Sequence, residues 1–220
     1  MSVPSPAGAE PVIVAIDGPA GAGKSTVGRA VAERLGLQYL DTGAMYRAVT
    51  FAALRRGIDP GDESDVAALA AAIEMTLDGT AVIVDGVDAT VEIRGREVTA
   101  AVSAVAANSR VRSELVRRQR AWVAEHGGGV VEGRDIGSVV FPDATLKLYV
   151  TASPRVRAER RVAEIGGDVD DVEASIIERD RKDSTRADSP LMESSDATVV
   201  DTTGSSVDEV VARVLDLMPT

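Results

Sequence analysis

A short glycine-rich stretch near the start of the chain has the residues needed to hold phosphate groups. GPAGAGKST, at residues 18–26, matches the pattern G-x-x-x-x-G-K-[ST] through Gly18, Gly23, Lys24 and Ser25. Glycines allow backbone N–H groups to curve around phosphate oxygens, because no Cβ stands in the way. The lysine adds a mobile positive charge for the β- and γ-phosphates, and the serine hydroxyl is a ligand for Mg²⁺. The stretch therefore predicts a nucleotide phosphate-binding loop, or P-loop.

The surroundings of this loop favour nucleotide binding over the alternative, which is a glycine turn without a ligand. A β-branched run at 12–16 precedes the loop and a helical pattern at about 25–35 follows it, so the positive end of a helix would face the same anion. Guanine-specific switches use an Asn-Lys-x-Asp motif, whereas the single asparagine of this chain, Asn108, lies in ANSR. At 220 residues the chain is short for a large ATPase motor, so a small kinase remains.

A second group of charged residues follows another apolar run, in VVEGRDIG at 130–137. Glu132 would lie at the carboxyl end of that strand, where the ligands of α/β sheets collect, and it could hold a Mg²⁺-bound water. Arg134 and Asp135 follow in the loop. An ordinary charged turn is the alternative. A glycine and three charges directly after a buried strand favour a functional site.

Four cations are concentrated in ERDRKDSTR, at 178–186, although the chain has a formal net charge of −11. Interleaved acids could pair with them on a solvated helix face, and we assign Arg181 and Lys182 to such a face. An acidic chain lacks the broad basic surface that a nucleic acid polymer or an anionic membrane needs. Any anion site that these cations form must therefore be small and local.

The composition excludes several other classes of site and partner. The chain contains no cysteine, so disulfides, thiolate catalysis and cysteine-bound metals are excluded. No apolar run approaches the ~18 residues of a membrane span. The first residues, MSVPSPAGAEP, have neither the basic nor the apolar segment of a signal peptide. We therefore expect residues 1–10 to form a flexible tail, and we expect a cytoplasmic protein with no membrane or nucleic-acid partner.

The pattern of short apolar runs predicts the fold that must position these residues. β-branched runs of strand length alternate with helical patterns, including one from Ala44 to Arg56, which is typical of a doubly wound α/β fold with a parallel sheet. The five runs are 12–16, 38–40, 129–132, 146–150 and 198–200. Residues 74–94 contain Asp-Gly twice between β-prone runs, which predicts a small antiparallel meander. Residues 154–188 are highly charged and predict helices that project from the sheet.

Other charged residues are assigned to solvated surfaces. In the helix after Asn108, an apolar stripe faces the core and three arginines form the solvated face. The stripe is Val111, Leu115 and Trp122, and the arginines are Arg117, Arg118 and Arg120. The spacings Arg155–Glu159 and Arg160–Glu164 predict surface ion pairs. The only histidine, His126, is expected to be solvated at a helix end.

Taken together, these stretches resemble the bacterial-type cytidylate kinases of the nucleoside monophosphate kinase superfamily. The similar stretches are IDGPAGAGKST, LDTGAMYR, VSAVAANSRVRSELVRRQR, EGRDIGSVVFPDA and ERDRKDSTR, in the order of the family. The resemblance implies a P-loop kinase with a five-stranded parallel sheet, and a single domain at 11–220. It also implies a nucleotide-monophosphate-binding subdomain at about 41–112 with a strand-rich insert at about 74–94, a helical lid at about 154–188, and a monomer.

The resemblance also implies a role for individual residues. The CMP site would comprise Thr42, Arg47, Ser103, Arg112, Arg134, Asp135, Arg179, Asp183 and Arg186. Arg47, Arg134 and Arg186 would hold the acceptor phosphate; Ser103, Arg112 and Asp135 would lie near the cytosine, and Asp183 and Arg179 near the ribose. ATP would be held by Gly18, Gly21, Ala22, Gly23, Lys24, Ser25 and Thr26, and by Arg157, Arg160 and Arg161 of the lid. Catalysis would fall to Lys24, Arg134 and Arg186, and Mg²⁺ would be held by Ser25 and, through water, Glu132.

The implied reaction is transfer of a phosphoryl group from ATP, with Mg²⁺, to CMP and dCMP in pyrimidine nucleotide metabolism. The sequence offers no obvious general base, and a nucleotide monophosphate needs none, since its second pKa of about 6 leaves it largely dianionic at neutral pH. Arginines that neutralise both phosphates supply what is needed. The alternatives are a kinase for another small acceptor, such as UMP or a metabolite hydroxyl, and a catalytically silent nucleotide sensor.

Replacing the P-loop lysine tests this interpretation. We expect Lys24→Ala to abolish phosphoryl transfer and to leave the fold intact, because the lysine serves the phosphates. Turnover measured by ADP release, together with the circular dichroism spectrum of the variant, checks both parts. Near-normal turnover would contradict the P-loop assignment.

Overall fold

Two β-sheets and the helices around them make up the fold. The computed structural model describes residues 11–186 and 188–219, and the tail expected at 1–10 lies outside them. The strands are β1 (Val12–Asp17), β2 (Tyr39–Asp41), β3 (Met75–Asp78), β4 (Ala81–Val84), β5 (Val87–Asp88), β6 (Gly128–Glu132), β7 (Leu146–Thr151) and β8 (Thr198–Asp201). The helices are α1 (Lys24–Leu35), α2 (Thr42–Arg55), α3 (Glu63–Ala72), α4 (Arg96–Ala107), α5 (Ser109–His126), α6 (Pro154–Ile165), α7 (Val169–Thr185) and α8 (Val207–Asp216), with a 3-10 turn at Glu92–Arg94 and a π-helical turn at Ile136–Val140. No helix within this described part has the length and apolar character needed to cross a membrane.

The main sheet has five parallel strands in the order β2-β6-β1-β7-β8. Successive side chains of β1 point to opposite faces, and both faces are buried. Val14 and Ile16 pack with residues of α1 and α8, whereas Ala15 packs with residues of α2 and α5. Burial on both faces explains why these strands are continuous apolar runs in the sequence. The predicted fold class, a parallel α/β sheet flanked by helices, is confirmed.

The start of α2 differs from the sequence prediction for a local reason. The helix begins at Thr42 rather than at Ala44, because the side chain of Asp41 accepts a hydrogen bond from the Ala44 N–H at 3.0 Å. β1 likewise extends by one residue beyond the predicted run, to Asp17. Asp17 and Asp41 therefore both end parallel strands of the main sheet.

The second sheet is a three-stranded antiparallel meander, β3-β4-β5, as predicted for this segment. Asp85 and Gly86 both have positive φ, 48° and 75°, and join β4 to β5 in a two-residue turn. Such turns match the twist of a hairpin and favour Asp-Gly. The strands end at Asp88, and the rest of the predicted meander, up to Arg94, contains the 3-10 turn instead.

The charged segment predicted to be helical at 154–188 contains α6 and α7, which pack against each other. Ser153 caps the start of α6, where its hydroxyl accepts from the Val156 N–H at 3.3 Å, and Pro154 is the first residue of the helix. Asp168 caps the start of α7, where its carboxylate accepts from two backbone N–H groups. In the described part of this segment no strand is present, and residue 187 lies outside that part.

The predicted surface pairs on α6 are only partly correct. Arg155 pairs with Glu159 at 3.6 Å, as its spacing indicates. The pair predicted between Arg160 and Glu164 is wrong, because Arg161 pairs with Glu164 at 2.9 Å and Arg160 points elsewhere. On the surface of α6, Glu164 can be reached from both Arg160 and Arg161. Arg160 donates to Thr202, in the loop after β8, so Arg161 forms the ion pair with Glu164.

Two of the three arginines assigned to the solvated face of α5 cap other elements. Arg118 donates to the carbonyl oxygens of Ile73 and Ala70, each at 2.9 Å, at the C-terminal end of α3. Arg120 donates to the carbonyl oxygens of Val140 at 3.0 Å and Val139 at 2.9 Å, in the π-helical turn. Arg118 is partly buried by these contacts, so the prediction of a solvated face is wrong for it, whereas Arg120 remains exposed as predicted and still donates to these carbonyls. A helical period identifies a face of α5, but it does not show that unpaired carbonyls of distant segments lie against that face.

The other predictions for α5 hold. Arg117 is exposed and pairs only with Glu114, at 2.7 Å. Trp122 is partly buried against the main core cluster, with the His126 ring stacked on it at 4.2 Å between centroids. His126 is exposed and ends the helix before Gly127, as expected.

The contrast between Arg118 and Arg117 can be measured. We expect Arg118→Ala to lower the free energy of unfolding by about 1–2 kcal/mol, because carbonyls at the end of α3 lose their donors. Arg117→Ala, the matched control on the same helix, should change it by less than about 0.5 kcal/mol. Urea denaturation of both variants provides the measurement, and equal losses would contradict the capping role.

Candidate active site

The P-loop begins directly after β1 with a backbone that only glycine adopts easily. Gly18, Gly21 and Gly23 have φ values of 144°, 75° and 89°. A Cβ on Gly18 would overlap the carbonyl oxygen of Val150 on the neighbouring strand. The loop then leads into α1, whose N-terminal amides face the space that the loop encloses. The predicted context of the motif, between a strand and a helix, is therefore present.

Lys24 is buried at the start of α1, with 7% of its surface exposed. Its Nζ donates to the carbonyl oxygen of Pro19 at 2.8 Å, within the loop. Burial, followed by the nearby charge of Arg134, lowers the pKa of Lys24. A phosphate oxygen beside this amine would favour its charged form, so the electrostatic environment of Lys24 suits an anion.

Ser25 and Glu132 form an oxygen-rich pair next to the loop. Ser25 Oγ donates to Glu132 Oε1 at 2.7 Å, and Glu132 ends β6 with 4% of its surface exposed. Glu132 Oε2 has no hydrogen-bond partner among the described residues, and burial, followed by the charge of Asp41, raises the pKa of this carboxyl. A buried carboxylate oxygen without a donor, beside a hydroxyl, is a suitable environment for a hard divalent cation such as Mg²⁺.

A pocket opens beside this pair, between α2, α4, α5, the loop after β6 and the end of α7. It brings together eight of the nine residues that the sequence analysis assigns to a nucleotide monophosphate. These are Thr42, Ser103, Arg112, Arg134, Asp135, Arg179, Asp183 and Arg186, and Lys24, Asp41, Tyr46 and Glu132 also line it. They come from segments more than 140 positions apart in the chain, from Thr42 to Arg186.

Two aspartates hold the guanidinium groups of this pocket. Arg112 Nη2 forms a buried ion pair with Asp135 Oδ2, and Arg186 Nη2 lies 3.8 Å from Asp135 Oδ1. Arg134 Nε donates to Asp183 Oδ2 at 3.0 Å. Asp135 Oδ1 therefore has no close donor among the described residues and remains available to a ligand.

The arginines of the pocket carry more positive charge than these two aspartates neutralise. Burial, followed by the charge of Arg134, lowers the pKa of Arg179 to about 10, and burial, followed by Arg112, lowers that of Arg186. Arg179 Nε and Arg186 Nη2 are buried without a hydrogen-bond partner among the described residues. Buried cations that the protein neutralises only in part are typical of an anion-binding site.

Arg47, the ninth of these residues, is not among the lining residues. Its Nη1 donates to the carbonyl oxygen of Ile93 at 2.9 Å and to Thr99 Oγ1 at 3.0 Å. Burial, followed by the charge of Arg179, lowers the pKa of Arg47 to about 9. The side chain is thus close enough to add to the positive potential of the pocket.

The three arginines of α6 predicted for ATP have different surroundings. Arg157 is 4% exposed, donates to the P-loop carbonyl of Ala20 at 3.1 Å and pairs with Asp180 of α7 at 2.6 Å. Arg160 donates to the carbonyl oxygen of Thr202 at 2.8 Å and to its hydroxyl at 3.0 Å. Arg161 is partly exposed and pairs with Glu164. Arg157 therefore connects both helices to the P-loop, and Arg160 lies beside the loop after β8.

The cation-rich stretch at 178–186 divides as the sequence indicates. Arg181 and Lys182 are exposed and pair with Glu178, at 2.8 Å and 3.8 Å. Arg179 and Arg186 face the pocket. The helix α7 and the residue after it thus present one face to solvent and another to the pocket.

Sequence reasoning missed at least three residues of the site, one of which is Asp41, which ends β2 and lines the pocket. Asp17 is 5% exposed and accepts hydrogen bonds from the N–H groups of Ile136 at 2.7 Å and Gly137 at 2.8 Å. Burial raises the pKa of Asp17 to about 6. The signal for it was an acid between a buried strand and the first P-loop glycine. Tyr46 lines the pocket with its ring 5.7 Å from the guanidinium carbon of Arg112, and α2 gave no comparable signal.

Comparison with known proteins agrees with this arrangement. Residues 14–220 match the family model described as cytidylate kinase. The chain is 49% identical over 215 residues to a cytidylate kinase of Corynebacterium efficiens, with 94% of each chain covered. It is also 49% identical over 212 residues to a cytidylate kinase of Mycobacterium leprae, covering 94% of this chain and 95% of the other. A gluconokinase structure from Sinorhizobium meliloti is similar in fold, with a TM-score of 0.52 at 16% identity, covering 94% of this chain and 91% of the other.

Proposed function

Because the chain belongs to the cytidylate kinase family, we propose that it transfers the γ-phosphoryl group of ATP to CMP, and also to dCMP, giving the diphosphate and ADP. It is thus a nucleoside monophosphate kinase of pyrimidine nucleotide metabolism. The observation that carries the proposal for this chain's own residues is the partly neutralised arginine cluster that faces the P-loop. A P-loop supplies the donor site, and an anion pocket beside it supplies the acceptor site.

The acceptor phosphate is assigned to Arg47, Arg134 and Arg186. Arg186 has a buried nitrogen without a partner, and Arg134 lies between the P-loop, through a 3.0 Å hydrogen bond to the Gly18 carbonyl, and Asp183. An arginine that contacts the donor loop on one side and the acceptor pocket on the other is well suited to stabilise charge on the transferring group. Together with Lys24 these residues are the proposed catalytic residues.

The nucleoside is assigned to the opposite part of the pocket. Asp135, Arg112 and Ser103 would contact the cytosine, Asp183 and Arg179 the ribose, and Thr42 would line the site from the start of α2. Asp135 Oδ1 supports the base assignment, because it is the acceptor without a close donor. A carboxylate accepts from the exocyclic amine of cytosine but would face the carbonyl oxygen of uracil at the same place.

The donor nucleotide is assigned to the P-loop and to the lid arginines. Backbone groups of Gly18, Gly21, Ala22 and Gly23 and the side chains of Lys24, Ser25 and Thr26 would hold the phosphates. Arg160 and Arg161 would approach ATP from α6, and Arg157 would act by holding the Ala20 carbonyl of the loop. Mg²⁺, held by Ser25 and through water by Glu132, would neutralise phosphate charge when bound.

The mechanism that follows needs no general base. The acceptor phosphate is already ionised, so the remaining barrier is repulsion between two polyanions. Buried guanidinium groups offset that repulsion and hold the two phosphates in line. We propose that α6 and α7 act as a lid over bound nucleotides, because water excluded from the site cannot accept the phosphoryl group.

We also propose how the chain is organised around this site. The nucleotide-monophosphate subdomain at 41–112, its insert at 74–94 and the lid at 154–188 are proposed as units of one kinase domain. A monomeric state and a cytoplasmic location, where ATP and CMP are available, are proposed with them.

A panel of acceptors tests the function directly. ADP release is measured with CMP, dCMP, UMP, AMP and a buffer blank, each with Mg²⁺ and with excess EDTA. We expect turnover with CMP and dCMP well above the other acceptors, and none when EDTA removes the metal. ATP binding without ADP release for any acceptor would indicate a nucleotide sensor, and preference for another acceptor would contradict the CMP assignment.

Substitution of Asp135 tests the choice of base. We expect Asp135→Ala to lower the CMP-over-UMP preference in kcat/KM by about tenfold or more, because the acceptor for the exocyclic amine is lost. Asp135→Asn, of equal size, should shift the preference further towards UMP, since its amide can donate to uracil. An unchanged preference in both variants would exclude this role for Asp135.

A further inference from the structure

The loop that follows β6 is fastened to the end of β1 by four hydrogen bonds. The Gly133 N–H donates to the carbonyl oxygen of Ile16 at 2.9 Å. Arg134 Nη1 donates to the carbonyl oxygen of Gly18 at 3.0 Å. The other two bonds end on one side chain, because Asp17 accepts from the Ile136 and Gly137 N–H groups. The donor loop and the acceptor loop are therefore connected directly at residues 16–18.

Asp17 serves the acceptor loop as a helix cap does, although it lies more than 110 positions away in the sequence. Its carboxylate accepts at 2.7 Å and 2.8 Å from two consecutive amides at the start of the π-helical turn. Asp135, the residue directly before that turn, has φ −148° and ψ 26° and contributes no side-chain cap of its own. The orientation of Asp135 therefore depends on an anchor supplied by β1.

The burial of Asp17 restricts which side chains could replace it as the anchor. Asp17 is 5% exposed, and the charged groups Asp135 and Lys24 have the largest effects on its pKa among its neighbours, while the Lys147 side chain also packs near Gly137. Such a carboxylate is tolerated inside the protein because both of its oxygens accept backbone hydrogen bonds. An amide at this position could accept from only one of the two N–H groups and would direct its own donors at the other.

We propose that Asp17 is a positioning residue for acceptor-base recognition: it fixes the 133–137 loop so that Asp135 and Arg134 face the nucleotide monophosphate. The inference rests on the proposed function, since it assigns Asp17 to the CMP side of that site. Asp17 itself touches neither nucleotide in this assignment. It acts through Asp135 and Arg134, and its position next to Gly18 makes the same residue a link between the two substrates.

The test compares Asp17→Asn with Asp62→Asn. Asp62 is a matched control, because its carboxylate also accepts from two backbone N–H groups, those of Ser64 and Asp65, each at 3.0 Å, at the exposed start of α3 and outside the site. For each protein, KM and kcat are measured for CMP, UMP and ATP, and unfolding is followed in urea. The ratio of kcat/KM for CMP and UMP does not depend on the fraction of folded enzyme, so partial unfolding does not affect it.

We expect Asp17→Asn to raise KM for CMP by about tenfold and to lower the CMP-over-UMP ratio by about tenfold, the size of effect that a misplaced hydrogen-bonding group causes. KM for ATP should change less, because the two hydrogen bonds of the Asp17 carboxylate go to the acceptor loop and neither goes to the P-loop. Asp62→Asn should leave the ratio and both KM values unchanged. Asp17→Ser, which keeps one acceptor oxygen, should fall between wild type and Asp17→Asn.

Each outcome separates this inference from the proposed function. Wild-type turnover of CMP with an unchanged base ratio in both Asp17 variants would overturn the inference and leave the function intact. Absence of CMP turnover in the wild type would overturn the function itself. Failure of both Asp17 variants to fold, with Asp62→Asn folded, would make Asp17 a residue of the fold alone and would also overturn the inference.

Discussion

Buried positive charge that the protein neutralises only in part is the constraint on which the rest of this structure depends. Burial lowers the pKa values of Arg47, Arg179 and Arg186, so their charged forms are less stable here than in water. A fold accepts that cost where a ligand of opposite charge offsets it. Two nucleotides bound phosphate to phosphate would be such a ligand. Without the protein, the negative charges of their phosphates would repel each other. In the proposed function, the arginine cluster and the glycine loop together would neutralise them.

The acidic residues of the pocket have a complementary purpose. Asp135 pairs with Arg112 and Asp183 pairs with Arg134, and Asp180 pairs in the same way with Arg157 at the P-loop. Carboxylates at this depth would be unfavourable without such partners. These carboxylates restrict the rotamers of the guanidinium groups. Because the carboxylates are few, the electrostatic potential of the pocket stays positive. The formal net charge of −11 is therefore compatible with a strongly cationic site, because the charge of the surface and that of the pocket are separate properties.

The parallel sheet decides where these groups meet. β2, β6 and β1 lie side by side in that order, and they end at Asp41, Glu132 and Asp17. The donor loop, the proposed metal ligand Glu132 and the acceptor loop therefore all lie at the same edge of the sheet. Asp17 fastens one loop to the other across that edge. The chemistry benefits from this rigidity, since phosphoryl transfer between two ionised phosphates depends on position and charge more than on proton transfer.

The P-loop and the five strands of the main sheet could be predicted from the amino-acid sequence, because neighbouring residues in the chain encode local backbone requirements and burial periodicity. The division of 178–186 into surface and pocket cations came from the resemblance to the cytidylate kinases. The order of the strands, the anchoring of the acceptor loop by Asp17 and the capping roles of Arg118 and Arg120 follow only from the tertiary structure. A long cationic side chain can reach several partners, and the carbonyls or carboxylates that it finds come from distant segments. Local periodicity shows which face of a helix is polar, whereas the groups packed against that face are set by the path of the whole chain.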